Sequence, residues 1–405
     1  MISAGEISFI REHLEDDIHE LLLSKGKYPH IDIPRCVTQI EGLRKIRDKV
    51  PEWFSCRQVF IPSALAAEQC SSAETAGYKR RFIIGSGPVV DITGGLGVDT
   101  YFFSKTSDHV IYAERDEALC KAAAYNFGVL GVGDRIDTVQ AEAGSLWSGK
   151  TDIAHAALVY ADPSRRDVSG RRLYDITEYS PDVTQLAKQV LRRTGSFLVK
   201  ISPLADISRT LSLLPGTAEV HVVSAANECK ELLFLIRAGT PSQEDPLIVC
   251  RDGFAFHLNE ESGAAAELER NPEPVTVHPG DCLYEPEVSL LKAGAFALPV
   301  FRFGVCKLHR HSHLYISSLP VLNFPGRKFR VADVIPFSSG NLRKLAGTFP
   351  KANMTVRNFP LSVDLWRKKT GISEGGTDYL FGTTVSKAGK DVPLIIHATK
   401  WEKTI

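Results

Sequence analysis

Apolar positions recur along this chain with two different periods, and the change of period divides it. Over residues 1–82 they return about every 3.6 positions. Ile7-Ser8-Phe9-Ile10-Arg11-Glu12-His13-Leu14 continues in that rhythm to Leu23, which predicts one helix. Pro34 opens a second helical segment that ends before Pro51, and a third run starts near Pro62 and carries Glu68-Gln69-Cys70-Ser71-Ser72. From 83 to 242 the pattern changes to short apolar runs separated by helical stretches. Strands are predicted at 87–92, 109–114, 135–140, 157–162, 195–201, 219–224 and 231–237. Alternation at this spacing predicts a doubly wound α/β sheet. Pro and Gly cluster around Gly239-Thr240-Pro241-Ser242. Residues 243–325 then read as short strands, such as Leu247-Ile248-Val249-Cys250 and Ala255-Phe256-His257-Leu258, around the helical Val288-Ser289-Leu290-Leu291-Lys292. A last unit, 326–405, starts after Phe324-Pro325-Gly326. It has a strand at Arg327-Lys328-Phe329-Arg330-Val331, a helix start at Ser339-Gly340-Asn341-Leu342-Arg343-Lys344-Leu345 and a late strand at Leu394-Ile395-Ile396-His397-Ala398. Both C-terminal units are expected to be small α+β domains.

Composition changes this picture little. A chain of 405 residues is too long for one core, so two to four domains are expected. No window approaches the roughly 20 uninterrupted apolar residues of a membrane span, and the N-terminus lacks a basic-then-apolar signal pattern. A cytoplasmic protein without a membrane partner is therefore expected. The 8 cysteines are scattered without a Cys-x-x-Cys pair, which argues against a zinc ribbon or a disulfide framework. Charge says more. The net charge is zero, yet residues 326–405 hold 14 Lys and Arg against 6 Asp and Glu. A basic end points to an RNA-anchoring module or to a solvated surface.

The candidate chemistry starts at Val89-Val90-Asp91-Ile92-Thr93-Gly94-Gly95-Leu96-Gly97-Val98-Asp99, an apolar strand running into a glycine-rich turn that opens a helix. Such a turn lets backbone N–H groups approach a nucleotide-like ligand at the crevice of a parallel sheet. The nearby Ile83-Ile84-Gly85-Ser86-Gly87 imitates a dinucleotide fingerprint. It fails, because Pro88 and Val90 stand where the helix and the final glycine belong. Glu114 ends the second strand 17 residues after Gly97, where a carboxylate can accept both hydrogen bonds of a ribose. Asp162-Pro163-Ser164 ends the fourth strand. Together these stretches resemble motifs I, II and IV of the class I S-adenosylmethionine (SAM) methyltransferases. The resemblance implies a Rossmann-like fold and a SAM site formed by Asp91, Thr93, Gly94, Gly95, Gly97 and Asp99 at the turn. It adds Glu114 and Arg115 after the second strand, Glu142 and Ala143 after the third, and Asp162.

The acceptor is less closely specified. Asp162-Pro163-Ser164-Arg165 resembles the D/N-P-P-x motif of base-amino methyltransferases, but Arg165 and Arg166 replace the aromatic that stacks on a flipped base. The string is also similar to that of the 5-methyluridine enzymes. Those need a cysteine after the next strand, which here ends Val199-Lys200-Ile201-Ser202-Pro203. Ribose 2′-O-methyltransferases carry a Lys–Asp–Lys–Glu tetrad, and Lys79, Asp162, Lys200 and Glu231 occur in the matching order and places. There a lysine with a pKa lowered by a neighbouring cation could take the hydroxyl proton. Lysines and glutamates are common, so chance also produces such a set. Arg165, Arg166, Arg171 and Arg172 follow the fourth strand directly, and this position beside the reaction centre favours arginine forks that hold phosphate over a merely salt-bridged surface loop. Three histidines in Cys306-Lys307-Leu308-His309-Arg310-His311-Ser312-His313 would share a face if this stretch is a strand. The interleaved cations read equally well as a basic strand face, and no metal is expected.

Taken with the Glu68-to-Ser72 stretch, these motifs resemble a bacterial family of class I methyltransferases that end in a ferredoxin-like unit and a THUMP-like domain. THUMP domains of related enzymes bind the acceptor end of tRNA, so the resemblance implies an RNA substrate, tRNA or rRNA. The expected protein is a SAM-dependent methyltransferase that modifies a base nitrogen or a ribose 2′-hydroxyl positioned by Asp162. Arg343 and Lys344 join the arginine loop as candidate RNA contacts. The alternatives are a non-catalytic RNA-binding protein that retains SAM and a small-molecule methyltransferase, which would leave the basic end without a role.

Overall fold

The computed structural model describes residues 2–147, 155–165, 171, 173, 175–241, 245–271, 275–387 and 389–401. Two compact units result, one of Met1–Val220 with Lys230–Glu244 and one of His221–Cys229 with Asp245–Ile405.

The first unit opens with helices Ala4–Glu12, Ile18–Leu23, Ile33–Ile46, Pro51–Ser55, Ala64–Gln69 and Ala73–Lys79. The single helix expected up to Leu23 is broken. The Asp17 carboxylate accepts from the backbone N–H groups of His19 and Glu20 and starts a second helix, a local bond that outweighs the apolar period. The run from Pro62 is divided in the same way by Ser72, whose hydroxyl accepts from the Thr75 N–H. Ile33, Ile40, Leu43, Ile46 and Trp53 are buried here.

The sheet follows, with strands β1 (Val89–Asp91), β2 (Val110–Glu114), β3 (Ile136–Gln140), β4 (Leu158–Ala161), β5 (Ser196–Ile201), β6 (Thr217–Ala225) and β7 (Glu228–Arg237), in the order 3-2-1-4-5-7-6. The first five are parallel and β7 runs antiparallel to β5. β1 and β4 are buried along their whole length, as strands covered on both faces must be. Val90 of β1 lies between Ile111 of β2 and Val159 of β4. That register brings the ends of β1, β4, β5 and β2 to one edge, where the motif residues lie.

In the second unit the tip of the β6–β7 hairpin precedes β8 (Leu247–Val249) and β9 (Ala255–His257), which pair antiparallel. A second sheet has strands β10 (Cys282–Pro286), β11 (Cys306–Lys307), β12 (Tyr315–Ser317), β13 (Gly326–Pro336), β14 (Asn353–Arg357), β15 (Asp378–Lys387) and β16 (Lys390–Lys400), in the order 11-12-10-13-16-15-14. Neighbouring residues of one strand feed opposite faces. Phe381 and Ile396 pack with Leu283 and Phe329, while Leu380 and Ile395 pack with Trp366 and Leu342 of the helices Val363–Thr370 and Ser339–Thr348. β10 pairs with β13 through five residues on each strand, so the sheet continues across residue 326. Arg343 and Lys344 are exposed on their helix. No described helix is long and apolar enough to cross a membrane.

Candidate active site

Backbone and ring packing shape the glycine turn first. Gly97 precedes the helix Val98–Phe103 at φ 91°, and a Cβ there would come within 2.7 Å of Phe127. A Cβ on Gly94 would come within 2.1 Å of the Tyr112 ring. Both glycines are therefore required by aromatic rings inside the unit. Gly95, at φ 54°, has only the Thr93 carbonyl oxygen near its Cβ direction, at 3.8 Å, and is the glycine of the turn with space above it.

Glu114 closes this cradle. One of its oxygens accepts from Gly95 N at 2.9 Å and the other from Asp116 N at 2.9 Å. A carboxylate oxygen can accept more than one hydrogen bond, so each retains capacity for a ribose hydroxyl. Glu142 is exposed and Ala143 buried just after β3, while Arg115 donates to the Ser180 hydroxyl at 3.1 Å.

Asp91 and Asp99, expected among the cofactor contacts, are turned elsewhere. The Asp91 carboxyl is buried beneath the turn, where it accepts from Thr93 N at 3.1 Å and from the Thr100 hydroxyl at 2.7 Å. Burial pushes its pKa up to about 7. Asp99 points away from the turn and meets Lys79 at 2.9 Å, the Ser71 hydroxyl at 2.8 Å and the Tyr160 hydroxyl at 3.0 Å.

The four residues of the expected tetrad converge. Lys79 ends the helix that Ser72 starts and is fully buried. Its ammonium donates to Asp99 and to Ser71 Oγ at 3.0 Å, and lies 3.1 Å from Glu231 Oε1 as an ion pair without hydrogen-bond alignment. Lys200, in β5, donates to Asp162 Oδ2 at 2.6 Å and lies 3.8 Å from Glu231 Oε2. Ser71 Oγ lies 3.5 Å from Lys200 Nζ, so this hydroxyl touches both ammonium groups. Thr93 Oγ1 accepts from Asp162 N at 2.6 Å and fastens the turn after β1 to the residue after β4. Asp162 is the open member of the cluster, with its side chain 34% exposed against 15% for Lys200 and 3% for Glu231.

The electrostatics correct one expectation. The tetrad resemblance implies a lysine of lowered pKa, and Lys200 is not one. Burial does press it down, but Asp162, Glu231 and Asp99 outweigh burial and hold the ammonium well above its ordinary range. For Asp99, burial is outweighed by Lys79 and Lys200, and its pKa falls. Glu231 is governed by burial and rises. Burial and the nearby carboxylates raise Tyr160, which stays a hydroxyl donor. In their ordinary ionisation states the five charged groups comprise three carboxylates and two ammonium ions, one negative charge in excess. Ser71 and Tyr160 were not singled out as site residues. Their signal was present, since Ser71 lies in the Glu68-to-Ser72 stretch and Tyr160 puts a hydroxyl into an apolar strand.

Of the arginine loop, Arg165 is exposed and donates to Ser202 Oγ at 2.8 Å, beyond the end of β5. Arg171 is exposed as well, and Arg166 and Arg172 lie outside the described residues. Pro163 is buried behind Asp162. The histidine run is a turn and not a strand, because β11 ends at Lys307. Its rings do not form one row: those of His309 and His311 lie with centroids 5.5 Å apart. His309 meets Asp391 at 3.1 Å and Asn358 at 3.0 Å, while His313 stacks on Phe296 with centroids 3.9 Å apart. Among the described residues, no group of three His, Cys, Asp or Glu could hold a metal.

Residues 326–400 match a family described as THUMP domain-like, and 283–325 match a ferredoxin-like domain family. The crystal structure of a protein from Porphyromonas gingivalis W83, assigned as a methyltransferase, is similar over 99% of this chain and 100% of that one, at 32% identity and a TM-score of 0.85. This chain belongs to that family. The family has the class I methyltransferase fold with ferredoxin-like and THUMP-like C-terminal parts. M. capricolum TrmK bound to S-adenosylhomocysteine matches 42% of this chain and 70% of its own, at 11% identity and a TM-score of 0.33. An RNA methyltransferase from Salinibacter ruber, bound to the same compound, matches 44% and 96%, at 15% and 0.30. Among curated proteins, nothing matches the chain.

Proposed function

We propose that this protein is a SAM-dependent methyltransferase acting on RNA, tRNA or rRNA, and that its acceptor is a ribose 2′-hydroxyl held by Asp162. The observation that carries this reading is the convergence of Lys79, Asp162, Lys200 and Glu231 beside the glycine turn. These residues are far apart in sequence and follow the order of the 2′-O-methyltransferase tetrad.

SAM, when bound, supplies a methyl group on a cationic sulfonium that is a good leaving group. Gly95, with open space above it, and Glu114, with acceptor capacity left on both oxygens, are the residues that would hold its adenosine end. The excess negative charge of the cluster complements a cation. Asp162 Oδ2 is engaged by Lys200, and Oδ1 takes no hydrogen bond from any described residue, which leaves it to accept one from the acceptor hydroxyl. That hydroxyl has a single proton: it rests on Asp162 Oδ1 while Lys200 is charged, and turns to the neighbouring Lys200 amine, which takes it, once Lys200 has lost its own proton to solvent. Lys79 is buried and touches no acceptor. It holds Asp99 and Glu231 in place and so orients Lys200. Arg165, beside Ser202, is placed to meet a phosphate.

A base nitrogen is the second reading. It is favoured by the raised pKa of Lys200, since an amine needs no strong base before attack. Methyl transfer from labelled SAM to RNA, DNA and protein fractions tests the substrate class, and mass spectrometry of the RNA nucleosides tests the acceptor. A 2′-O-methylnucleoside formed by the protein and lost in Asp162→Ala is the expected result. An N-methylated base replaces the acceptor assignment. Label in no macromolecular fraction overturns the RNA reading.

A further inference from the structure

The second unit contains a group of cations that its own carboxylates do not neutralise. Glu285 of β10 is buried and accepts from Arg327 Nε at 2.8 Å on one oxygen and from Arg357 Nη2 at 3.2 Å on the other, so one acid faces two guanidinium groups. Arg357 Nε is buried and has no hydrogen-bond partner among the described residues. The same holds for Nδ1 of His313. Lys307, at the end of β11, makes no ion pair with a described residue, and its ammonium lies 5.4 Å from the centre of the Phe296 ring on which His313 stacks.

Hydrogen bonds bring the segments that carry these groups together: Ser312 Oγ donates to the Thr384 carbonyl at 2.7 Å, and Thr384 Oγ1 donates to the Asn358 carbonyl at 2.5 Å. Burial, then the charges of Lys307 and Arg357, bring the His313 pKa down to about 4, and burial brings Lys307 to about 8. The carboxylate whose charge reaches Lys307 is that of Glu261. It is already engaged by the backbone N–H groups of Phe296, Ala297 and Leu298, at 2.9, 2.7 and 2.9 Å. His313 and Asn358, the neighbour of Arg357, both hold the left-handed conformation, with φ 50° and 51°.

We propose that Lys307, His313 and Arg357 form a recognition site for a phosphate oxyanion, which in the RNA substrate is a backbone phosphate. Two buried nitrogens and an ammonium, none with a hydrogen-bond partner among the described residues, offer an oxyanion hydrogen-bond donors, His313 doing so as its Nδ1–H tautomer. The RNA source of that phosphate rests on the functional reading above, whereas the oxyanion site does not.

The full-length chain, labelled with 15N-histidine, separates the two. Inorganic phosphate is titrated in against chloride at constant ionic strength, with His313→Ala assigning the resonance. A saturable His313 shift caused by phosphate and not chloride is expected, weaker in Lys307→Gln and restored in Lys307→Arg. With unmodified tRNA, Lys307→Gln is expected to bind about tenfold more weakly and to lower the slope of log affinity against log salt by about one. No phosphate-specific shift, together with wild-type RNA affinity and salt slope in Lys307→Gln, overturns the site. A phosphate shift in a protein that does not bind RNA upholds the oxyanion site, assigns it to a free phosphorylated ligand and overturns the RNA reading.

Discussion

The two units each hold a cluster of partly buried charges, and the clusters have opposite imbalances. In the first unit three carboxylates surround two ammonium groups. In the second, Glu285 faces both Arg327 and Arg357, and Lys307 makes no ion pair with a described residue, although the charge of Glu261 reaches it. A buried ion pair that balances is a weak argument for anything beyond structure. Buried charges that do not balance are a stronger one, because the missing ion has a sign. The first cluster lacks a cation and the second an anion, as a site for a sulfonium and a site for a phosphate would.

The comparison breaks most readily at Lys79. Lys79→Met leaves Asp99 and Glu231 buried without their shared cation, and the free energy of unfolding should fall by about 3–5 kcal/mol. Urea denaturation measures this, and a wild-type midpoint would show that the cluster is not electrostatically closed. Next in size, Asp162→Ala should lower methyl transfer by about 10²–10⁴-fold while SAM affinity by calorimetry falls only about threefold, through loss of one carboxylate from the cluster. Full turnover in that variant removes Asp162 from the acceptor site.

The third test concerns pH. The Lys200 pKa is raised, so the neutral amine is scarce near pH 7 and grows about tenfold per pH unit. Turnover should therefore rise from pH 7 to 9 with a log slope of about one, and Lys200→Arg, which keeps the charge but cannot give up its proton, should abolish it. A flat profile with an active Lys200→Arg variant moves the acceptor to a base nitrogen. The smallest effect is expected at the exposed Arg343 and Lys344. Replacing both by Gln should lower the salt slope of RNA binding by about 0.7–0.9 per lost phosphate contact, with a few-fold loss of affinity. An unchanged slope would confine RNA contact to other surfaces.

The fold was legible where the physics is local. Strands β1 to β7 lie close to the apolar runs that predict them, because strands such as β1 and β4, buried on both faces, leave little else for Val, Ile and Leu to do. Order along the chain also exposed Lys79, Asp162, Lys200 and Glu231, since Lys200 and Glu231 belong to strands, and Asp162 follows one, whose succession was clear. What pattern did not give is contact across distance. Ser71 meets Lys200, 129 residues away, and Tyr160 meets Asp99 over 61, pairings that only the closed sheet creates. The histidines failed for another reason. Alternation at 309, 311 and 313 imitates a strand face, but the chain turns after Lys307, and His313 takes a left-handed conformation that no strand contains. The start of the last unit hid a strand pairing too. β13 lies against β10, so residues from 326 onward cannot be removed without baring the middle of a sheet. Point substitutions, and not truncation, suit the basic end.

The hydroxyl of Thr93 carries a consequence for how this protein could change its substrate. Because it grips the backbone of Asp162, the turn that would carry SAM in the proposed reading and the carboxylate that would aim the acceptor are a single rivet apart. On that reading their alignment is made in the fold itself. Evolution can then rewrite the loops beyond Ser164 to suit a new acceptor without disturbing the line of transfer.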